Sequence, residues 1–377
     1  MPLPPTSPVR VQPYFGYRNR HKLVLTARAL RQRKARFAQG GQWQALRTML
    51  RQFASREVPD LAVRLEATDD HGMVLMDLTG VTDKEGFVRF EAELAPEWDL
   101  PEHPVWETVR LHWINAEGPQ VVDAHVLAPG RDGRLAVISD IDDTIVETGI
   151  TGGLRQVMRN WKRVLAQMPR DRAAVPGADT FYGTLGGGQV LPEGELRPGA
   201  RIPATRRPFF YVSSSPWNLF SYLVAFMQAK NLPLGPILLR DWGLNSQTFG
   251  KESHGLHKSG AIDAILAMYP DTSFALIGDD TQGDLPAFAK VATGNPGRIT
   301  AIFLRMVSTE ALSAEELAAK DAIEAAGVPL WIGDSYKVGE DFLDRIGVTP
   351  GGETTQIVHT VEDVDDPPEP EGAATAG

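Results

Sequence analysis

The chain has 377 residues, 42% hydrophobic and 23% charged, with a net charge of −10 and no cysteine. That composition fits a globular protein of two or three domains, and it excludes disulfides, thiolate metal ligands and a cysteine nucleophile. The acidic balance argues against general nucleic-acid binding, and no apolar run approaches the roughly 18 residues of a membrane-spanning helix.

The N-terminal "MPLPPTSPVR" lacks the apolar core of a signal peptide, so a cytoplasmic chain is expected. Before Glu57 there are twelve Lys and Arg residues and no Asp or Glu. Such a head can meet an anionic membrane surface or serve only as a solvated face. Residues 1–13 read as a basic N-terminal segment, and residues 14–130 as a small β-sandwich with an inserted helix. "KLVLTARAL" (22–30) is a strand, and "GQWQALRTMLRQF" sets Trp43, Leu46, Met49, Leu50 and Phe53 at helical spacing. The short alternating runs "LAVRLE", "GMVLMD", "GFVRFEAEL", "TVRLHWI" and "PQVVDAHVL" follow, separated by turn clusters such as "TDDHG" and "NAEGP". Strands at that spacing predict an antiparallel sandwich. "LAPGRDGR" (127–134) reads as a linker.

From residue 135 to 350 the pattern changes. "LAVISD", "PFFYVSSS", "GPILLRD", "SFALIGDD" and "ITAIFLR" are compact apolar runs, with helix-like stretches such as "NLFSYLVAFMQAK" and "SGAIDAILAMYP" between them. That alternation predicts an α/β domain, an open parallel sheet with helices on both faces. The tail, 351–377, is acidic and rich in Pro, Gly and Ala, and reads as disordered.

In an open parallel sheet, ligands lie beyond the carboxyl ends of the strands. The first run ends in Asp140 and Asp142, the second in Ser213, Ser214 and Ser215, and the third in Arg240 and Asp241. The fourth ends in "GDDTQGD", which supplies Asp279, Asp280 and Asp284. His257 and Lys258 precede the helix that leads into that fourth run. Carboxylates gathered at one edge repel one another unless a hard cation offsets them, and an all-oxygen donor set suits Mg²⁺. A hydroxyl and a lysine beside them complement phosphate oxygens. The inventory is that of phosphoryl transfer.

"DIDDTI" matches the DxDx[TV] signature of the haloacid dehalogenase-like superfamily, and the later elements follow in that superfamily's order. "FYVSSSPWNLF", "LPLGPILLRDWG", the "HK" at 257–258 and "FALIGDDTQGD" resemble the catalytic domain of the actin-patch-type, Mg²⁺-dependent phosphatidate phosphatases, over roughly 135–310. "VTDKEGFVRFE" in the preceding segment resembles transthyretin-like domains, and the sandwich segment resembles the N-terminal half of bacterial members.

The resemblance implies a haloacid dehalogenase-like three-layer domain behind a transthyretin-like sandwich. It also implies a Mg²⁺-dependent phosphomonoesterase acting on phosphatidate, a phosphorylated lipid in lipid metabolism. Carried over residue by residue, Asp140 is the nucleophile and Asp142 the proton shuttle. Thr144 holds the turn, Ser213 binds a phosphoryl oxygen and Lys258 neutralises charge. Mg²⁺ is held by Asp140, the Asp142 carbonyl and either Asp279 or Asp280. Asp284 touches the metal's water or orients Lys258. Ser214 is an alternative to Ser213, and Arg240 can contact substrate or pair with Asp241. A soluble phosphomonoester is the alternative substrate, and a non-catalytic surface-binding module the alternative class.

Around the site, His254 and His257 read as surface residues and Trp217 as a packed residue opening a helix. "GDSYKVGED" (333–341) reads as a loop. "LRQVMRNWKRVLAQM" (154–168) reads as an amphipathic helix, packed as a small cap or laid on anionic lipid.

Overall fold

The computed structural model describes residues 8–31, 56–69, 71–131, 133–141, 175, 177–190, 204–240, 251–281, 283–308, 311–336, 342–343, 346 and 348. The first sheet holds β1 (Val9–Pro13), β2 (Gly16–Arg18), β3 (Lys22–Arg31), β4 (Arg56–Glu57), β5 (Ala62–Thr68), β6 (Val74–Val81), β7 (Phe87–Glu93), β8 (Val105–Asn115) and β9 (Gly118–Ala128). Alternation decides which faces turn inward. Leu23, Leu25, Ala27 and Ala29 of β3 meet Val63 and Leu65 of β5, Val88 and Phe90 of β7, and Val109 and Leu111 of β8 in one core.

The expected sandwich is one hydrogen-bonded nine-stranded sheet, in the order β1-β3-β2-β9-β8-β5-β6, with β4 and β7 also paired to β3. It curls around its own core until β6 meets β7. A Cβ on Gly80 would lie 2.6 Å from Val88, so only glycine permits that approach. The sheet also begins earlier than the sequence pattern indicates. Val9–Pro13, inside the stretch read as a basic segment, pairs with Ala27–Arg31. The lone Arg10 hides an alternation in which Val9 and Val11 point into the core.

A two-stranded ribbon, β11 (Gln189–Val190) and β12 (Ala204–Thr205), stands apart from both larger sheets. The second large sheet holds β10 (Leu135–Asp140), β13 (Phe209–Pro216), β14 (Ile237–Arg240), β15 (Ser273–Asp279), β16 (Ile299–Arg305) and β17 (Leu330–Gly333). All its pairings are parallel, in the order β14-β13-β10-β15-β16-β17. Among the described residues the helices are α1 (Ala178–Gly186), α2 (Phe220–Ala229), α3 (Lys251–Met268), α4 (Asp284–Gly294) and α5 (Ala314–Ala325). β10 and β15 are buried along almost their whole length, which explains their unbroken apolar runs. From β10 the chain steps outward to β13 and β14, then returns to β15 and proceeds the other way. Right-handed crossovers therefore put α2 and α3–α5 on opposite faces. The reversal falls between β10 and β15, and it is at the carboxyl ends of strands at such a point that open parallel sheets bind ligands.

The two sheets share a hydrophobic boundary. Phe87, Trp106 and Leu127 of the first, with Tyr14 beside β1, belong to the same cluster as Phe210 of the second and Phe220 of α2. Among the described residues no helix is long and apolar enough to cross a membrane. The expected helices at 41–53 and 154–168, and the tail 351–377, lie outside the described residues.

Candidate active site

Register brings the reactive residues together. Asp140, the last residue of β10, pairs with Val212, so Ser213 lies one step further along β13. On the other side Ser139 pairs with Ile277, and Asp279 ends β15. Lys258 comes from α3. The sequence places it in a loop before the helix, but the helix begins at Lys251 and Lys258 lies inside it. No proline interrupts the run from Lys251, and a helical turn is what brings Lys258 to the acids.

Asp140, Asp279 and Asp284 form a buried carboxylate cluster, with one oxygen from each within 4.8 Å of the others. Lys258 Nζ lies 3.1 Å from Asp140 Oδ1 and also donates to Asp284 Oδ1. Burial works against the Lys258 ammonium, but the charges of Asp140, Asp284 and Asp279 outweigh it and raise its pKa above the ordinary lysine value.

Asp284 opens α4 behind Gly283, where a carboxylate meets the positive end of the helix. Its second oxygen accepts the Asp279 backbone N–H at 3.1 Å. A Cβ on Gly278 would lie 2.4 Å from that oxygen and 2.8 Å from the Phe288 ring, so the residue before Asp279 must be glycine. Asp279 Oδ1 accepts the Thr281 N–H at 2.6 Å and the Thr281 hydroxyl at 2.5 Å. Burial pushes the Asp279 carboxyl up to about 7; Asp284 adds to the push, while Lys258 and Thr281 oppose it.

Of the two adjacent acids, Asp279 joins the cluster and Asp280 does not. The Asp280 carboxylate accepts the backbone N–H of Val307 at 2.7 Å and of Ser308 at 3.1 Å, tying down the loop after β16. Between the two alternatives the geometry favours Asp279, since the Asp280 side chain holds a turn that sequence spacing does not reveal. Ser213 is buried, and its Oγ accepts the Ser215 N–H at 2.9 Å, so the strand end curls on itself at the hydroxyl.

For Ser214, Arg240, His254 and His257 only the backbone is described, in β13, β14 and α3. Asp142, Asp143, Thr144 and Asp241 lie outside the described residues.

Sequence reasoning missed a polar chain behind the acids. Ser139 Oγ donates to the Asp140 carbonyl at 2.6 Å and lies 2.7 Å from the Tyr182 hydroxyl. Tyr182 is hydrogen-bonded in turn to Tyr336. Burial raises both tyrosine pKa values and keeps the phenols neutral. Tyr336 comes from the "GDSYKVGED" stretch read as a loop, yet its ring stacks on Phe181 at 4.9 Å. The available signal was a serine inside an otherwise apolar buried run.

Three buried carboxylates against one buried lysine leave an excess of negative charge, and every donor is oxygen. The residues fit a hard divalent cation. Fold and site thus define an α/β domain whose buried carboxylates can hold a cation beside a lysine.

Residues 135–306 match the family model described as phosphatidate phosphatase APP1, catalytic domain. The chain is 28% identical over 269 residues to phosphatidate phosphatase APP1 of Saccharomyces cerevisiae, covering 68% of this chain and 40% of that protein. An uncharacterized protein of Schizosaccharomyces pombe is 29% identical over 181 residues, covering 48% of this chain and 26% of that one. The chain spans less than half the length of these two curated relatives. Residues 135–306 are thus similar to the catalytic domain of phosphatidate phosphatase APP1. Among solved structures, a Parabacteroides merdae β-glucuronidase aligns at 7% identity with a TM-score of 0.27, covering 86% of this chain and 39% of that one. A likeness that low carries no argument.

Proposed function

We propose that the chain is a Mg²⁺-dependent phosphomonoesterase that hydrolyses phosphatidate to diacylglycerol and phosphate through an aspartyl-phosphate. In this reading the parallel domain is haloacid dehalogenase-like, the curled sheet is transthyretin-like, and the protein works at the cytoplasmic surface of an anionic membrane. One observation carries it: Lys258 bridges Asp140 and Asp284 inside a cluster of three buried carboxylates at the strand-order reversal.

Asp140, Asp279 and the Asp142 carbonyl would hold the ion. When bound, Mg²⁺ offsets the repulsion between carboxylate and phosphate and lets the two approach. The Asp140 carboxylate attacks phosphorus and the bond to the glycerol oxygen breaks, while Asp142 delivers its proton to the departing alkoxide. Asp142 then takes a proton from water, whose oxygen attacks phosphorus and releases phosphate from Asp140. Ser213 donates to a phosphoryl oxygen, and Lys258 balances charge on that group and on Asp140. Both Asp284 oxygens are engaged, one by Lys258 and one by the Asp279 N–H, which favours orienting Lys258 as its task.

The test is a substrate panel with phosphatidate in mixed micelles beside soluble sugar, nucleotide and aryl phosphates, with Mg²⁺ or with chelator. Expected is Mg²⁺-dependent turnover that favours phosphatidate and disappears in Asp140→Asn. A preference for soluble esters would refute the lipid assignment. No turnover by folded, Mg²⁺-loaded protein would overturn the enzyme reading in favour of a surface-binding module.

A further inference from the structure

We infer that the curled first sheet is part of the catalytic apparatus, and that Arg28 is a positioning residue which holds the Ser213 strand end through Asn218. The inference rests on the phosphatase reading, in which Ser213 binds the phosphoryl group.

The chain leaves Ser213 through a bulge at the end of β13 and turns at once through a single 3₁₀ turn, Trp217–Leu219, into α2. A strand-to-helix turn at a sheet edge has few neighbours of its own to fix it. Here the first sheet supplies them. Arg28 lies on β3 and is 8% exposed, with all three guanidinium nitrogens engaged. Nη1 donates to Asn218 Oδ1 at 2.7 Å, Nε to the Glu85 carbonyl at 3.0 Å and Nη2 to Glu57 Oε1 at 3.2 Å. The guanidinium carbon sits 4.5 Å from the centre of the Phe87 ring. Phe87 packs on Trp217 at 5.6 Å, and Tyr14 packs on Trp217 at 4.4 Å and on Phe220 at 4.8 Å. Gln12 Nε2 reaches Ser221 Oγ at 2.8 Å.

These contacts grip residues 217–221 from outside the parallel domain, a few residues beyond Ser213. A planar fork engaged on three edges and stacked on a ring admits one orientation, which a lysine ammonium cannot reproduce. Placement of a phosphate-binding hydroxyl is sensitive to small shifts: misplacement by about 1 Å costs about 100-fold in rate.

The experiment compares the full chain with Arg28→Ala, Arg28→Lys, Asn218→Ala, Asn218→Asp and the Arg28→Ala/Asn218→Ala double variant. Steady-state kinetics with Mg²⁺ on an aryl phosphate are read beside amide hydrogen exchange. Expected is a loss of about 10- to 100-fold in kcat/KM for Arg28→Ala, felt in kcat as well as KM. Arg28→Lys does not rescue it. Asn218→Asp, which keeps the acceptor, stays close to the parent where Asn218→Ala does not, and the double variant is no worse than the worse single. Exchange rises in the peptide spanning 213–221.

Folded Arg28→Ala with parental kcat/KM overturns the inference, whatever its exchange. So do equal kinetics for Asn218→Ala and Asn218→Asp. Should Arg28→Ala fail to fold, the two Asn218 variants decide the matter by the same readouts. Should the parent turn over nothing, the phosphatase reading falls separately; unchanged exchange at 213–221 in the variants then overturns the bracket, and raised exchange supports it.

Discussion

Lys258 and Asp284 form an ion pair sealed from solvent, at 1% and 0% exposure, in which the carboxylate is also held by the Asp279 backbone N–H. Both Asp284 oxygens accept, so even an isosteric amide sets a donor against a donor. Asp284→Asn is expected to cost about 1–3 kcal/mol, the penalty of a buried mismatched polar group. Asp284→Ala, which strips the lysine of a buried partner, is expected to cost about 3–5 kcal/mol. Urea unfolding of parent and variants measures both.

Asp279 ties cation affinity to pH. Its carboxyl, pushed up to about 7 by burial and then by Asp284, must lose its proton to act as a ligand. Mg²⁺ affinity should therefore rise about tenfold per unit as pH climbs towards 7, and level off above it. The folded pKa lies above the unfolded value of about 4, so the metal-free protein binds an extra proton between these limits. The stability contributed by Asp279 is then fully present below about pH 4 and is lost as pH rises through about 7, and saturating Mg²⁺ offsets that loss. Titration calorimetry and denaturation across this range check both halves.

The adjacent acids Asp279 and Asp280 should behave oppositely. Asp279→Asn removes a donor from the cluster and is expected to abolish measurable Mg²⁺ binding. Asp280→Ala leaves the cluster intact and frees the 307–308 backbone, at a cost of about 1–3 kcal/mol. Its Mg²⁺ affinity should stay within about threefold of the parent, a change under 1 kcal/mol. Equal losses of binding in both would contradict the geometry.

Gly278→Ala is a one-methyl test of how tightly the centre is built. The new Cβ falls 2.4 Å from Asp284 Oδ2, so the carboxylate must leave its place between Lys258 and the Asp279 N–H. Expected is a loss of at least about 100-fold in kcat/KM, since Lys258 moves with its partner. A crystal structure of the variant should show Asp284 displaced.

Much of this centre was legible in the sequence because parallel strands, buried on both faces, spell unbroken apolar runs that stop where the sheet ends. Asp140, Ser213 and Asp279 stand at those stops. The pattern could not show that Asp280 turns away, because its partners are backbone amides of Val307 and Ser308, which carry no side-chain signature. It could not show Lys258 inside a helix, since Gly255 just before it weakens the helical signal of the run. Nor could it show the contact between Arg28 and Asn218: the two are 190 residues apart, and no local periodicity reports a pairing across two sheets. The single curled sheet escaped for the same reason, since strand order depends on register between distant segments rather than on alternation within each one.

The reversal of strand order between β10 and β15 has a consequence for assembly. Asp140 reaches the cluster at the start of the parallel domain, whereas Asp279 and Asp284 arrive only after β13, β14 and α3 are in place. A chain emerging from the ribosome with β10, β13 and β14 complete holds only one of the three clustered carboxylates, Asp140. Completion of the carboxylate cluster thus marks the closing of a long-range loop in the topology, and a cation that binds there would report a domain already folded.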